Sequence, residues 1–333
     1  MQAPQVVFVE PGRVEVQMKP VAVAVEPEVL FQARYSTISP GTELAFLQAL
    51  PNASAVFPNV FGCSACGHIV NPGGPGRAEH SRGDLVVAAV RHAALSSTSP
   101  ETCHRVPAGL DPVAASAFRL AAISLQGVRK AQVQVGQRVA VLGLGVIGNL
   151  AAQLALSAGA AAVTGIDPVP WRGRIACECG ISEVFGSADE AAEVHGEAAF
   201  DIVIEATGAP EPINQAFGLA RRLGRVILLG STRGVTERVN FYRDVHKKGL
   251  HVIGAHASIV AKSEDAGPLC TLATDAVSVL DLMSSGRLRV GPLISDVVPW
   301  NEAPSAYQRL LDRKEQLLTI ALDWDGAVRL GPR

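Results

Sequence analysis

The sequence predicts an α/β fold in which a doubly wound parallel sheet is set between β-rich stretches. Residues 138–167 read as strand, glycine turn, small-residue helix and strand. From about Ala117 to Ala257 strand and helix patterns alternate, the order that builds a parallel sheet with ligands at the strand C-terminal ends. Before Pro112, by contrast, short alternating apolar runs are broken by Pro and Gly, and Leu317 to Trp324 reads as a strand once more.

Each element has a local cause. VVFVE, VEVQM and VLFQARYS alternate as strands do, LVVAAV follows the turn signal Ser81 to Asp84, and NPGGPG at 71–76 is a loop. Asp111 is placed to cap a helix with Pro112 at its first position, and the helix is expected to run on to Ala131. Val139 to Leu142 is apolar throughout, as in a strand buried on both faces. The helix from Val146 to Ala158 stops at Gly159, and Ala161 to Ile166 leads to Asp167. Further strands are predicted at Asp201 to Glu205, Arg225 to Leu229 and Leu250 to Ile253, with a helix from Pro212 to Leu223. Helices at 271–285 and 303–312 flank a Pro-bearing strand region at 290–300.

The glycines at 143, 145 and 148 have the spacing G-x-G-x-x-G. Gly143 lets the chain turn off the strand. Gly145 lets backbone, with Val146 and Ile147 opening the helix, approach a pyrophosphate whose charge the helix N-terminus offsets. Gly148 lets helix and strand pack closely. Asp167, about 20 residues on, is placed to accept ribose hydroxyls and to repel a 2′-phosphate, which favours NAD over NADP. Arg172, five residues later, can pair beside the adenosine in either case. Thr207, Gly230 and Ser231 end the following strands and complete the expected cofactor set. An ordinary βαβ unit with a tight turn is the bland alternative.

The chain has 333 residues, enough for two domains, and a formal net charge of -2. That leaves no basic surplus for nucleic acid. Its apolar stretches are cut by Gly, Asn and Gln, so no membrane span is expected. Six cysteines (63, 66, 103, 177, 179, 270) make no disulfide framework in a chain this long, and a cytoplasmic setting is the expectation.

GTEL at 41–44, FGCSACGHIV at 61–70, RGDLV at 82–86, the glycine motif, DIVIEATG and GRVILLG resemble the medium-chain dehydrogenase/reductase superfamily over nearly the whole chain. The likeness is strongest to its polyol and threonine dehydrogenase side. SPGTEL, FRLAAISLQGVR and HKKGLHVIGAH are similar to a zinc-less subgroup, and bacteriochlorophyllide dehydrogenase has a related S-x-GTE pattern. The resemblance implies a GroES-like catalytic domain over 1–116 and 258–333, a Rossmann nucleotide-binding domain over 117–257, and a homodimer.

The departures from the pattern matter most. The family's catalytic zinc ligands fall at Pro40, Cys63, Ser64 and about Arg119, and only Cys63 is a ligand type, whereas such a site takes about three. The run at 90–107 that would carry a structural zinc lobe holds Cys103 alone. No zinc is therefore expected in either site; the rival is a rearranged Cys63, Cys66 and His68 set.

Without metal, alcohol oxidation needs a proton acceptor and a group that stabilises negative charge on oxygen. Thr42 aligns with the family's proton relay and Glu43 with its acidic position. Arg119 could polarise a substrate oxygen from the vacated metal position, and His256 follows the last strand of the Rossmann domain. His92 stays open. The expected function is NAD-dependent oxidation of a secondary alcohol on a polar small molecule such as a sugar or cyclitol. A zinc-free NAD(P)H-dependent enone or quinone reductase and a non-catalytic cofactor binder are the alternatives.

Overall fold

The computed structural model describes residues 1–21, 28–53, 56–73, 80–259, 271–313 and 315–328; Cys270 and part of the 71–76 loop lie outside them. The chain divides into two units. The first comprises Met1–Arg119, Ala276–Ser284 and Ile294–Arg333, and the second Leu120–Asp275 and Ser285–Leu293.

The first unit opens with the hairpin β1 (Gln2–Glu10) and β2 (Arg13–Pro20), paired antiparallel. Then come β3 (Val29–Thr37), α1 (Pro40–Leu47), β4 (Ala65–Asn71), β5 (Leu85–Ala88), β6 (Leu95–Thr98), β7 (Cys103–Arg105) and the short helix α2 (Pro112–Ala115). β3 is the axis of the unit's sheet, antiparallel to β4 on one side and also bonded to β6. Its inward residues Val29, Phe31 and Ala33 join Phe8, Ile69, Val86 and Leu95 in one core.

The expected continuous helix from Pro112 to Ala131 is broken. α3 begins at Phe118, because the carbonyl of Ser116 accepts the Ser64 hydroxyl at 2.6 Å and the Ser116 hydroxyl turns back to the Val113 carbonyl at 2.7 Å. Serine side chains that bond nearby backbone compete with the helical ladder in this way.

α3 (Phe118–Ala131) leads into β8 (Arg138–Leu142), α4 (Val146–Ser157), β9 (Ala162–Ile166), α5 (Pro170–Glu178), β10 (Glu183–Phe185), α6 (Ala188–His195), β11 (Phe200–Glu205), α7 (Pro212–Leu219), β12 (Ala220–Leu228) and β13 (His251–Gly254). The strands form one parallel sheet in the order β10-β9-β8-β11-β12-β13. Counted from β8 this is 3-2-1-4-5-6, the doubly wound order, and it reverses between β8 and β11. Helix α7 stops four residues before the expected Leu223. The ammonium of Lys248 donates to the carbonyls of Phe217, Gly218 and Ala220 at 2.6, 3.1 and 2.9 Å, capping that end, so the chain turns into β12 early.

α8 (Leu272–Ser284) precedes the return of the chain to the first unit through β14 (Ile294–Pro299), α9 (Ala303–Asp312) and β15 (Thr319–Asp323). β15 pairs antiparallel with β3, completing the sheet order β14-β15-β3-β4-β5-β7. Tyr307 of α9 and Trp324 after β15 are among the largest fully buried side chains.

Candidate active site

In the second unit the glycine turn has the geometry its spacing predicts. Gly143 has φ +86°, and a Cβ there would meet the Thr207 backbone at 3.0 Å. A Cβ on Gly148 would stand 1.7 Å from the Gly143 carbonyl oxygen, so only glycine fits. Around Gly145 a Cβ would meet nothing within 4 Å, and Gly145 is the N-cap of α4. An open approach to a helix N-terminus is what an anionic diphosphate requires. Val146 and Ile147 follow as the first helical residues.

Asp167, the candidate ribose acceptor, also has a structural place. It is 3 % exposed, its Oδ2 accepts the Leu144 amide at 2.8 Å and its Oδ1 the Val169 amide at 2.9 Å. Arg172 Nη1 lies 3.4 Å from Oδ2. The carboxylate thus ties the second strand to the first glycine turn while keeping acceptor capacity for hydroxyls. Thr207 and Ser231 are exposed at the ends of β11 and β12, and a Cβ on Gly230 would come 2.6 Å from the Gly208 nitrogen. His256 is exposed after β13, where its Nδ1 accepts the Ser258 amide at 3.2 Å.

In the first unit, Thr42 is exposed on the first turn of α1, whereas Glu43 beside it is 2 % exposed. Glu43 accepts the Ser39 amide at 2.8 Å, His92 Nε2 at 3.1 and 3.2 Å, and the Tyr307 hydroxyl. His92 Nδ1 lies 2.7 Å from the Ser36 hydroxyl, which accepts the Trp324 indole N–H at 2.8 Å. A single direction of donation runs through the network: indole to Ser36, Ser36 to Nδ1, and Nε2–H to Glu43. Burial and the adjacent carboxylate hold the Tyr307 hydroxyl well above its ordinary value.

The aligned metal positions are occupied differently. Pro40 offers no donor. The Ser64 hydroxyl donates to the Ser116 carbonyl at 2.6 Å and accepts the Arg119 amide at 3.1 Å, so it starts α3. Burial pushes the Cys63 thiol up to about 12, with Glu43 adding and Arg119 opposing. Cys66 is likewise pushed up to about 12, first by burial. His68 Nδ1 lies 3.2 Å from the Gly83 carbonyl oxygen. Proline, a hydroxyl already committed to backbone and a guanidinium are not zinc ligands, so of the aligned positions Cys63 alone carries a ligand-type side chain. Among the described residues no three His, Cys, Asp or Glu side chains are grouped to hold a metal.

Half-buried Arg119 stands in the first turn of α3, where a cation opposes the helix dipole, so its place there has a cost of its own. Of the residues named from sequence, Glu43 and Arg119 both stand close enough to act on Cys63. His92, open from sequence, joins Glu43 in a network whose other members, Ser36, Tyr307 and Trp324, sequence reasoning does not find. No spacing rule links residues 36, 43, 92, 307 and 324; the only signal was their residue types.

A family model described as a zinc-binding dehydrogenase matches residues 146–268. D-guloside 3-dehydrogenase of Escherichia coli (strain K12) is 28% identical over 215 residues, which is 63% of this chain and 61% of that protein. The chain thus spans less than two thirds of the length of the curated relatives it matches. Galactitol-1-phosphate dehydrogenase from Escherichia coli superposes with a TM-score of 0.83 at 19% identity, covering 97% of this chain and 99% of that one. A putative zinc-binding dehydrogenase from Sinorhizobium meliloti 1021, bound to NADP, gives 0.79 at 21% identity with coverages of 97% and 99%. The solved structures share this fold over nearly the whole chain, and together with the family model and the curated relatives these likenesses agree with the resemblance to the medium-chain dehydrogenase/reductase superfamily that the sequence motifs carry.

Proposed function

We propose that this chain is an NAD-dependent dehydrogenase that oxidises a secondary alcohol of a polyol or sugar derivative without a catalytic zinc. The observation that carries the reading is Asp167, whose carboxylate closes β9 and grips the glycine turn through the Leu144 amide. Gly145 leaves the diphosphate approach open, Asp167 holds the ribose hydroxyls, and Thr207, Gly230 and Ser231 border the pyridine end. A bound nicotinamide would supply the hydride acceptor. Thr42 relays the substrate's hydroxyl proton, passing its own hydroxyl proton on to solvent from its exposed place on α1, and Arg119 stabilises the developing negative charge on oxygen, the task a metal would otherwise perform. Glu43, held by three donors, orients the helix that carries Thr42. The sugar and polyol dehydrogenases among the relatives support the substrate class.

A second reading, an NADPH-dependent enone or quinone reductase, draws on Arg172 beside Asp167. One experiment separates the two. Purified protein is titrated with NAD+ and NADPH by fluorescence, then given polyol, sugar-acid and enone panels, with metal content measured alongside. NAD+ binding and polyol oxidation that survive a chelator are expected. Binding of NADPH alone, turnover of enones alone, or a stoichiometric zinc ion would overturn the proposal. Sizing chromatography checks the accompanying proposal of a homodimer.

A further inference from the structure

Glu205 is a buried acid that the proposed chemistry leaves unused. It ends β11 and pairs in register with Leu142, the last residue of β8. Because the strand order reverses between β8 and β11, Glu205 stands at the switch point where an open α/β sheet takes its ligand. The residue is 0 % exposed. Its Oε1 accepts the Thr207 amide at 2.7 Å and the Thr207 hydroxyl, whereas Oε2 is buried with no hydrogen-bond partner. The Thr207 hydroxyl in turn accepts the Ala209 amide at 3.0 Å. A Cβ on Gly230 would come 3.0 Å from Oε2. The carboxyl therefore packs beneath two turns at once, Thr207–Gly208 after β11 and Gly230–Ser231 after β12.

We propose that Glu205 is a positioning residue that holds these two turns in the nucleotide-binding arrangement, and that it does so as an uncharged carboxylic acid. The proposal rests on the dinucleotide reading given above. An ionised carboxylate oxygen buried without a donor is far more costly than a neutral one. Leu142 of β8, Thr207 and Gly208 of its own turn and Gly230 at the end of β12 lie against Glu205, and no charged group acts on it from these or from the helices packed on β11. Burial accordingly pushes the carboxyl up, and only the Thr207 and Gly208 donors pull it back. A carboxyl raised in the folded state stabilises the fold below the ordinary carboxylate range, and that stabilisation is lost as pH rises through the raised value. Nucleotide affinity follows the same direction: it is highest with Glu205 protonated and falls as pH rises.

The test is NAD+ titration of the full-length protein between about pH 4.5 and about pH 9, from the ordinary carboxylate range upward, for wild type, Glu205→Gln and Glu205→Leu. Leucine removes the acceptor for Thr207 and is expected to weaken NAD+ binding by about tenfold or more. Glutamine keeps the acceptor without a charge, so it is expected to restore binding and to abolish the loss that wild type shows as pH rises. Wild-type affinity in Glu205→Leu, or a pH-dependent loss in Glu205→Gln parallel to wild type, overturns the proposal. If the leucine variant does not fold, the glutamine comparison decides alone. A wild-type protein that binds neither NAD+ nor NADP+ sinks the nucleotide reading itself. In that case thermal unfolding against pH, which needs no nucleotide, still reports the acid: Glu205→Gln must outlast wild type at high pH, and parallel curves overturn the uncharged form.

Discussion

The two units carry their candidate residues in opposite ways. In the second, the site is backbone: three glycines, a helix N-terminus and one acid, all within residues 143–167. In the first it is side chain: a chain of hydrogen bonds from Trp324 through Ser36 and His92 to Glu43 and Tyr307, spanning almost the whole sequence. A backbone site admits little change, because a turn tolerates few residues at positive φ or at a sub-contact distance. A side-chain site can lose one donor after another and be rebuilt from other polar groups. That difference fits a glycine turn that retains the G-x-G-x-x-G spacing while the positions that the resemblance gives to metal hold Pro40, Ser64 and Arg119.

The comparison can be broken first at Gly148. Gly148→Ala places a Cβ 1.7 Å from the Gly143 oxygen, and the overpacking should cost about 3 kcal/mol or more and abolish nucleotide binding. Denaturant unfolding and NAD+ titration check both; an alanine variant that binds normally would remove the claim that the backbone is committed. Next is Arg119→Ala, expected to lower turnover by about 10² to 10³-fold, the scale of a lost oxyanion donor, while leaving NAD+ affinity nearly unchanged. Steady-state kinetics beside a binding titration would show it, and unaltered turnover would take Arg119 out of the mechanism. The smallest effect is expected from Tyr307→Phe, which deletes one donor to a buried carboxylate and should cost about 1.5–3 kcal/mol in denaturant unfolding. No measurable loss would mean that Glu43 is satisfied without it.

The same contrast governs what could be read from the sequence. β8, α4, β9 and β11 lie within a residue or so of their expected limits, because each is an apolar run or a helix ended by a glycine over a short span. α9 at 303–312 has the limits expected of it. The break at Ser116 was not, since it depends on Ser64, which is 52 residues away. Nor was the early end of α7, which Lys248 imposes from about 30 residues on. Three-residue β10 has too little pattern to read. Glu205 was seen only as the end of a strand, and its burial under Gly230 is a property of two turns that meet across the sheet. Local chemistry was readable, and side chains recruited from a distance were not.

The Leu144-to-Asp167 bond has a consequence for any attempt to re-engineer the coenzyme preference. Exchanging Asp167 for a small neutral residue, the obvious way to admit a phosphorylated ribose, would also release the amide that fixes the loop above it. On the proposed NAD reading, selectivity and loop rigidity are coupled through one side chain, and a redesign must supply a new acceptor for Leu144 before it changes the charge.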